Sequence, residues 1–257
     1  MGRILAVTNQ KGGVGKTATA VNLAAALGAA EKRVLLVDCD PQGNATTALG
    51  ETKSRSSGTT YALLSGQGRV QDVVRRVAPP YLDLVVSTPD LSGAEVELVN
   101  EPHREFRLRQ ALREIHAEYD CILLDCPPSL GLLTLNALVA ADAVLVPLQC
   151  EYHALEGLAQ LMRTLEIVRE RLNPDLVLAG IVLTMYDPEL GLSRQVAAEV
   201  RQHFGERVFG TLIPRDRRLA EAPGFGKPAI WYDVRTPGAR AYLGLAWEIL
   251  ESGGLRV

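Results

Sequence analysis

Short runs of consecutive apolar residues alternate along the chain with longer stretches in which apolar positions recur every three or four residues. The runs at 3–8, 33–37, 82–87, 121–124, 143–147, 178–184 and 208–213 have the length of β-strands. Several are rich in Val, Ile and Leu without polar alternation, the pattern of strands covered on both faces. Helical spacing recurs near 16–29, 104–118, 130–140, 153–172, 192–204 and 239–251. In the fourth of these, Leu155, Leu158, Leu161, Met162, Leu165, Val168 and Leu172 fall near one face, a stripe most simply read as core packing. Strand-then-helix repetition predicts an α/β fold: a mainly parallel twisted sheet, helices on both faces, right-handed crossovers. Ligands of such sheets bind at the carboxyl ends of the strands. Residues 51–58 cluster Ser, Thr, Lys and Arg without apolar spacing and read as a loop. No repeat, low-complexity tract or linker interrupts the pattern, so residues 1–257 read as a single domain.

Composition narrows the partners. A formal net charge of −3 excludes a protein coated in basic surface, so any nucleic-acid contact must come from a local patch or from two chains pooling patches. Only 5% of residues are aromatic, which argues against base-stacking platforms. Cys39, Cys121, Cys126 and Cys150 form no C-x-x-C pair and lack a His cluster; metal ligation or a disulfide is conceivable, but small core residues in a reducing cytosol fit better. Met1-Gly2-Arg3 leads straight into the first strand with no signal-peptide pattern, and the apolar runs are too short to span a bilayer. A cytoplasmic protein is expected.

The chemistry begins at residues 9–18, Asn-Gln-Lys-Gly-Gly-Val-Gly-Lys-Thr-Ala. Gly12, Gly13 and Gly15 let the backbone curl so that its N–H groups, with those of Val14 and Ala18 beside them, face an anion. Lys16 supplies a positive charge for outer phosphates and Thr17 a hydroxyl for magnesium. The stretch follows an apolar strand and opens a helical pattern, so the partial positive charge of a helix N-terminus adds to the site. Gln10 replaces the first glycine of the usual G-x-x-x-x-G-K-[ST] pattern, and a second lysine, Lys11, stands beside the glycines. Two further apolar strands end in carboxylates, Asp38 and Asp125, with Asp40 two residues beyond the first. A carboxylate at a strand end beside a phosphate loop can hold magnesium directly or through its waters.

Lys-Gly-Gly-Val-Gly-Lys-Thr at 11–17, Asp-Cys-Asp-Pro-Gln-Gly-Asn at 38–44 and Asp-Cys-Pro-Pro-Ser-Leu-Gly at 125–131 resemble the deviant Walker A, Walker A′ and Walker B motifs of ParA/Soj-type partition ATPases, relatives of MinD among the P-loop NTPases. The similarity continues through 149–157, 213–216, 221–223 and 226–228, nearly the whole chain. The resemblance implies that Lys16 holds the β- and γ-phosphates of ATP, Thr17 ligates Mg2+, and Asp38 and Asp125 orient the metal's shell. It also implies that Asp40 positions the attacking water. Lys11 would reach across an ATP-dependent homodimer onto the partner's phosphates, so that hydrolysis releases the dimer. Ala18 stands where the family usually repeats threonine.

For adenine, the family's loop implies Pro214 and Asp216; read alone, Asp216 is nearly as well explained as a cap for the next helix. The resemblance further implies non-specific binding of double-stranded DNA through Arg215 and Arg218, stimulation by a ParB-type protein, and a nucleoid-associated place in the cytoplasm. Unaided, the basic cluster at 207–218 reads as solvated surface. Glu189 and Gly210 depart from the basic residues common in relatives, which implies either weaker DNA binding or the use of other arginines such as Arg194, Arg201 and Arg235. The alternative, a MinD-like membrane or cargo-positioning ATPase, calls for a basic amphipathic tail. Here Tyr242, Leu245, Trp247, Ile249 and Leu250 with two glutamates read as a helix docked on the core, and no membrane contact is expected.

Overall fold

Every apolar run becomes a strand, and the long crossovers between them allow parallel pairing. The computed structural model describes residues 2–53, 58–77, 81–152 and 154–252. In chain order the strands are β1 (Arg3–Val7), β2 (Val34–Asp38), β3 (Val74–Val77), β4 (Leu82–Val85), β5 (Cys121–Asp125), β6 (Ala143–Gln149), β7 (Val177–Tyr186) and β8 (Val208–Pro214). They form one sheet in the order β3-β4-β2-β5-β1-β6-β7-β8, parallel throughout except for the antiparallel β3–β4 pair. Of the expected loop at 51–58, residues 54–57 lie outside the described residues, as does His153.

Side chains of successive strand residues alternate between two cores. Ile4, Ala6, Leu35, Val37, Ile122 and Leu124 face one layer, with Leu158, Leu161, Leu165 and Val168 of helix Ala154–Arg171 packed on them. Leu5, Val7, Leu36, Leu123 and Leu145 face the other, under helices Lys16–Ala29 and Pro237–Glu251. The expected stripe on Ala154–Arg171 is therefore core, with Leu155, Met162 and Leu172 at its half-buried margin. Pro at the first position and the Thr236 hydroxyl, which accepts from the Ala239 N–H, start the last helix. That helix buries Tyr242, Leu245 and Ile249, and the Tyr242 hydroxyl lies 3.2 Å from Thr19 Oγ1. It thereby braces the helix that begins in the phosphate loop.

Three expectations need correction. Strand β3 was not anticipated: Val-Arg-Arg-Val has charge at its centre, which an exposed antiparallel edge tolerates and a buried parallel strand does not. The single helix expected at 104–118 is a 3-10 turn at Arg104–Phe106, a short helix at Arg107–Leu112 and a second 3-10 turn at His116–Glu118. Its buried residues Leu108, Leu112 and Ile115 keep the spacing, but the last turn tightens so that the Ile115 N–H reaches the Leu112 carbonyl. Trp247, expected against the core, is 64% exposed, because it lies off the Tyr242–Leu245–Ile249 stripe.

Candidate functional site

The central strands bring the motifs together. In register, Val7 of β1 pairs with Asp125 of β5, and Asp125 with Asp38 of β2. The loop leaving β1 therefore stands beside both strand-end carboxylates, where strand order reverses direction and ligands of open α/β sheets bind.

The loop is held by its neighbours. The Asn9 amide donates to the Pro147 carbonyl at 2.8 Å, the Lys11 N–H donates to Asn9 Oδ1, and the Thr184 hydroxyl donates to the Val14 carbonyl at 2.8 Å. Gly13 (φ 77°) and Gly15 (φ 88°) occupy the left-handed region that glycine favours. Gln10 does not, and its amide donates to Thr164 Oγ1, so glycine is not required at that position. Gly15 caps helix Lys16–Ala29 without a side chain, so the first-turn N–H groups have no side-chain cap and are open to an anion. Lys16 is buried, and its ammonium donates to the Lys11 carbonyl at 2.9 Å. Burial lowers its pKa, opposed by the negative field of Asp125, so the site favours an anion beside it.

The two strand-end carboxylates differ. Asp38 accepts from the Thr46 N–H (2.8 Å), the Thr46 hydroxyl (2.7 Å) and the Asp40 N–H (3.2 Å). Burial nevertheless pushes its pKa up to about 6. Asp125 is fully buried, and neither carboxylate oxygen has a hydrogen-bond partner among the described residues. Burial and the neighbouring Asp38 push it well above the usual carboxylate range; the nearby Thr17 hydroxyl and Lys16 oppose this without satisfying it. Two adjacent buried acids and a hydroxyl are the hard oxygen donors that Mg2+ takes. Mg2+ usually keeps waters and takes phosphate oxygens beside one or two carboxylates. Among the described residues no group of three or more His, Cys, Asp or Glu is arranged to hold a metal.

Asp40 is nearly buried, and its Oδ1 accepts the Gln42 N–H at 2.9 Å, which orients the carboxylate. Lys11, unlike Lys16, is half exposed, and its ammonium pairs with Glu151 at 3.0 Å. Gly12 is exposed, and a Cβ placed there would meet nothing within 4 Å. A cavity of about 310 Å3 opens beside the loop, lined by Gly15, Ala18, Met185, Pro214, Asp216 and Tyr242. Pro214 and Asp216 thus lie at a base-sized space, but both Asp216 oxygens accept backbone N–H groups, from Arg218 and Gly238. Its carboxylate caps the next helix and, with Pro214, also lines the space. Arg215 and Arg218 are exposed; Arg218 pairs with Glu221 at 2.9 Å and lies over the Tyr232 ring. Glu189 is exposed, and the Gly210 N–H donates to Glu248. All four cysteines are buried and free, with thiols pushed up by burial.

Two contributors escaped sequence reading. Thr46, which holds Asp38, carries no local signal beyond its place after Gly43-Asn44. Glu151 lies in the 149–157 stretch that carried the resemblance, but only the fold brings it across to Lys11.

A glycine loop opening a helix, a buried lysine within it and carboxylates at adjacent strand ends place the chain in the class of P-loop nucleotide-binding proteins. A family model described as an AAA domain matches residues 2–178. The chromosome partitioning protein ParA of Myxococcus xanthus is 55% identical over 251 residues, covering 98% of this chain and 89% of that protein. The sporulation initiation inhibitor protein Soj of Bacillus subtilis is 51% identical over 253 residues, covering 98% and 100%. A crystal structure of cobyrinic acid a,c-diamide synthase from Mycobacterium smegmatis, with bound ADP and magnesium, matches with a TM-score of 0.85 at 38% identity, covering 98% and 97%. The chain belongs to the ParA/Soj family of chromosome-partitioning P-loop ATPases. No helix among the described residues is long and apolar enough to cross a membrane.

Proposed function

We propose that the chain, as one domain, hydrolyses Mg2+·ATP as a nucleotide-sandwich homodimer, binds double-stranded DNA without sequence preference, and segregates chromosomal or plasmid DNA with a ParB-type partner. Hydrolysis returns the dimer to monomers. The observation that carries the reading is the division of labour between two lysines of one loop. Lys16 lies inside the cradle, while Lys11 reaches outward along the carboxyl edge of the sheet. An outward ammonium beside a phosphate site has its natural target on a second copy's phosphates.

Within each copy the loop N–H groups and Lys16 bind the phosphates. Thr17, Asp38 and Asp125 hold the ion, which when bound offsets phosphate charge. Asp40 orients the water, and Lys11 adds positive charge across the dimer. Phosphoryl transfer is largely positioning and charge neutralisation, so a cation lent by a partner makes hydrolysis depend on association.

Gly12 supports the same reading, since nothing inside the subunit demands glycine there. Gly12→Val should fold and bind ATP. It should weaken the dimer by more than about tenfold, because overpacking costs about 1–3 kcal/mol and is counted once in each copy. Size-exclusion chromatography with ATP checks this; a variant that still elutes as a dimer refutes the close approach at position 12.

For DNA, Arg218→Glu should weaken ATP-dependent binding to any sequence. It should also reduce the slope of log K against log salt by about one per subunit. Mobility shifts at several salt concentrations read both, and unchanged binding would move the patch to other arginines such as Arg194 or Arg201.

A further inference from the structure

The turn that carries Asp40 is held at three points. In Asp40-Pro41-Gln42-Gly43 the Asp40 carbonyl accepts the Gly43 N–H at 2.8 Å, and Asp40 Oδ1 accepts the Gln42 N–H at 2.9 Å. Asp, Pro and Gly at the first, second and fourth positions suit such a turn. The third tie comes from outside: the Gln42 carbonyl accepts the ammonium of Lys53, 11 residues further on. The lysine's stem lies against the same turn. Gly43 (φ 60°) has the left-handed backbone that favours glycine, and a Cβ there would stand 2.9 Å from Lys53 Cε and 3.1 Å from the Ser87 carbonyl. Gly43 also caps helix Asn44–Ala48, whose Thr46 holds Asp38 through its N–H and hydroxyl. Lys53 thus rests head and stem on the link between Asp40 and Asp38. It belongs to the polar stretch at 51–58, outside the motifs that carry the resemblance.

We propose that Lys53 is a positioning residue for hydrolysis, acting through the Gln42 carbonyl on the aim of the Asp40 carboxylate. This rests on the water-orienting role given to Asp40 above and deepens it. The peptide unit joining Gln42 to Gly43 is held at both ends, its N–H by the Asp40 carbonyl and its C=O by Lys53. A planar unit fixed at both ends does not rotate, although glycine on one side would otherwise let it turn freely. The neighbouring Gln42 N–H then stays on Asp40 Oδ1 and leaves Oδ2 to the water. The ammonium also polarises the amide it meets, because a charged donor is stronger than a neutral one and bonds in a chain reinforce each other. The Gly43 N–H becomes a better donor to Asp40, and the turn closes more firmly. Without Lys53 the same turn forms, but its free carbonyl lets the carboxylate swing.

The experiment measures turnover at saturating ATP, ATP affinity by calorimetry and the melting temperature without nucleotide for Lys53→Met, Lys53→Arg, Asp40→Ala and the Lys53→Met/Asp40→Ala double variant. Methionine keeps an unbranched stem over Gly43 and removes the ammonium. Lys53→Met should turn over about two- to tenfold more slowly, the effect of one lost hydrogen bond. Its ATP affinity and melting temperature should match wild type. Lys53→Arg, which still donates from a charged group, should recover at least half of the lost turnover. Added to Asp40→Ala, Lys53→Met should slow turnover no further, since a residue that acts through another is not additive with it. Wild-type turnover in Lys53→Met overturns the proposal. So does a Lys53→Met effect that multiplies the Asp40→Ala loss, because the lysine would then act on some other group. A fall in ATP affinity or melting temperature in Lys53→Met overturns it as well, by making the lysine an anchor of the fold. Unchanged turnover in Asp40→Ala is a different result: it removes the role of Asp40 itself, and that of Lys53 falls with it.

Discussion

Lys16→Ala should lose ATP affinity by about a hundred- to a thousandfold, measured by calorimetry, with the fold intact. Lys16 is the ammonium buried inside the cradle, where it donates to the Lys11 carbonyl and lies in the field of nearby acids. Truncating one partner of a buried charged pair costs about 2–5 kcal/mol. The nucleotide-free protein should respond in the opposite sense. Burial disfavours the charged form of Lys16, so its removal relieves a desolvation penalty. The melting temperature without nucleotide should therefore hold or rise, while the stabilisation on adding ATP disappears. For wild type that stabilisation is about 2.7 kcal/mol at a ligand concentration a hundred times Kd. A variant with normal ATP binding refutes the assignment of Lys16 to the phosphates; a variant whose nucleotide-free form melts early would trace the loss to misfolding.

The parts of the molecule legible in the sequence are those whose cause is local. Gly13 and Gly15 announce left-handed backbone, and the unbroken apolar runs ending in Asp38 and Asp125 announce buried strands with carboxylates at their tips. Parallel register then places those tips side by side without further information, since two strands leaving the same end of a sheet must align there. What escaped is set by tertiary contact. Strand β3 exists because an edge accepts Arg75 and Arg76, and composition alone reads that stretch as polar. The short helices Asn44–Ala48 and Arg217–Glu221 have too few residues to show a period, yet one orders Asp38 through Thr46 and the other is capped by Asp216. Asp216 has a second contact that a motif does not announce. It lies in the Ile213–Asp216 stretch that carries the resemblance and lines the cavity beside the loop, and its oxygens also accept backbone N–H groups of helices Arg217–Glu221 and Pro237–Glu251. The same holds for Lys11, whose glycine-flanked position is plain in the sequence while its partner Glu151 becomes visible only when β6 is laid beside β1.

Asp40→Ala should bind ATP and dimerise yet hydrolyse about a hundredfold more slowly, read as phosphate release under saturating ATP. The geometry explains why binding survives. Asp40 reaches the site from beyond the end of β2; its N–H supports Asp38, and that backbone bond remains in an alanine variant. Its Oδ1 is fixed by the Gln42 N–H, which leaves Oδ2 as the atom able to meet a water. General-base groups contribute about 10²–10⁴ in rate, but a carboxylate is a weak base toward water, and phosphoryl transfer asks mainly for a nucleophile held in line. Orientation is accordingly the role assigned, and Asp40→Asn separates it from proton abstraction. An asparagine carbonyl can still accept a hydrogen bond from the water but cannot take its proton at neutral pH. If Asp40 orients, Asp40→Asn retains turnover well above Asp40→Ala; if it abstracts, the two variants are equally slow. Turnover unchanged in both would move the water-positioning role to another residue of the strand-end cluster.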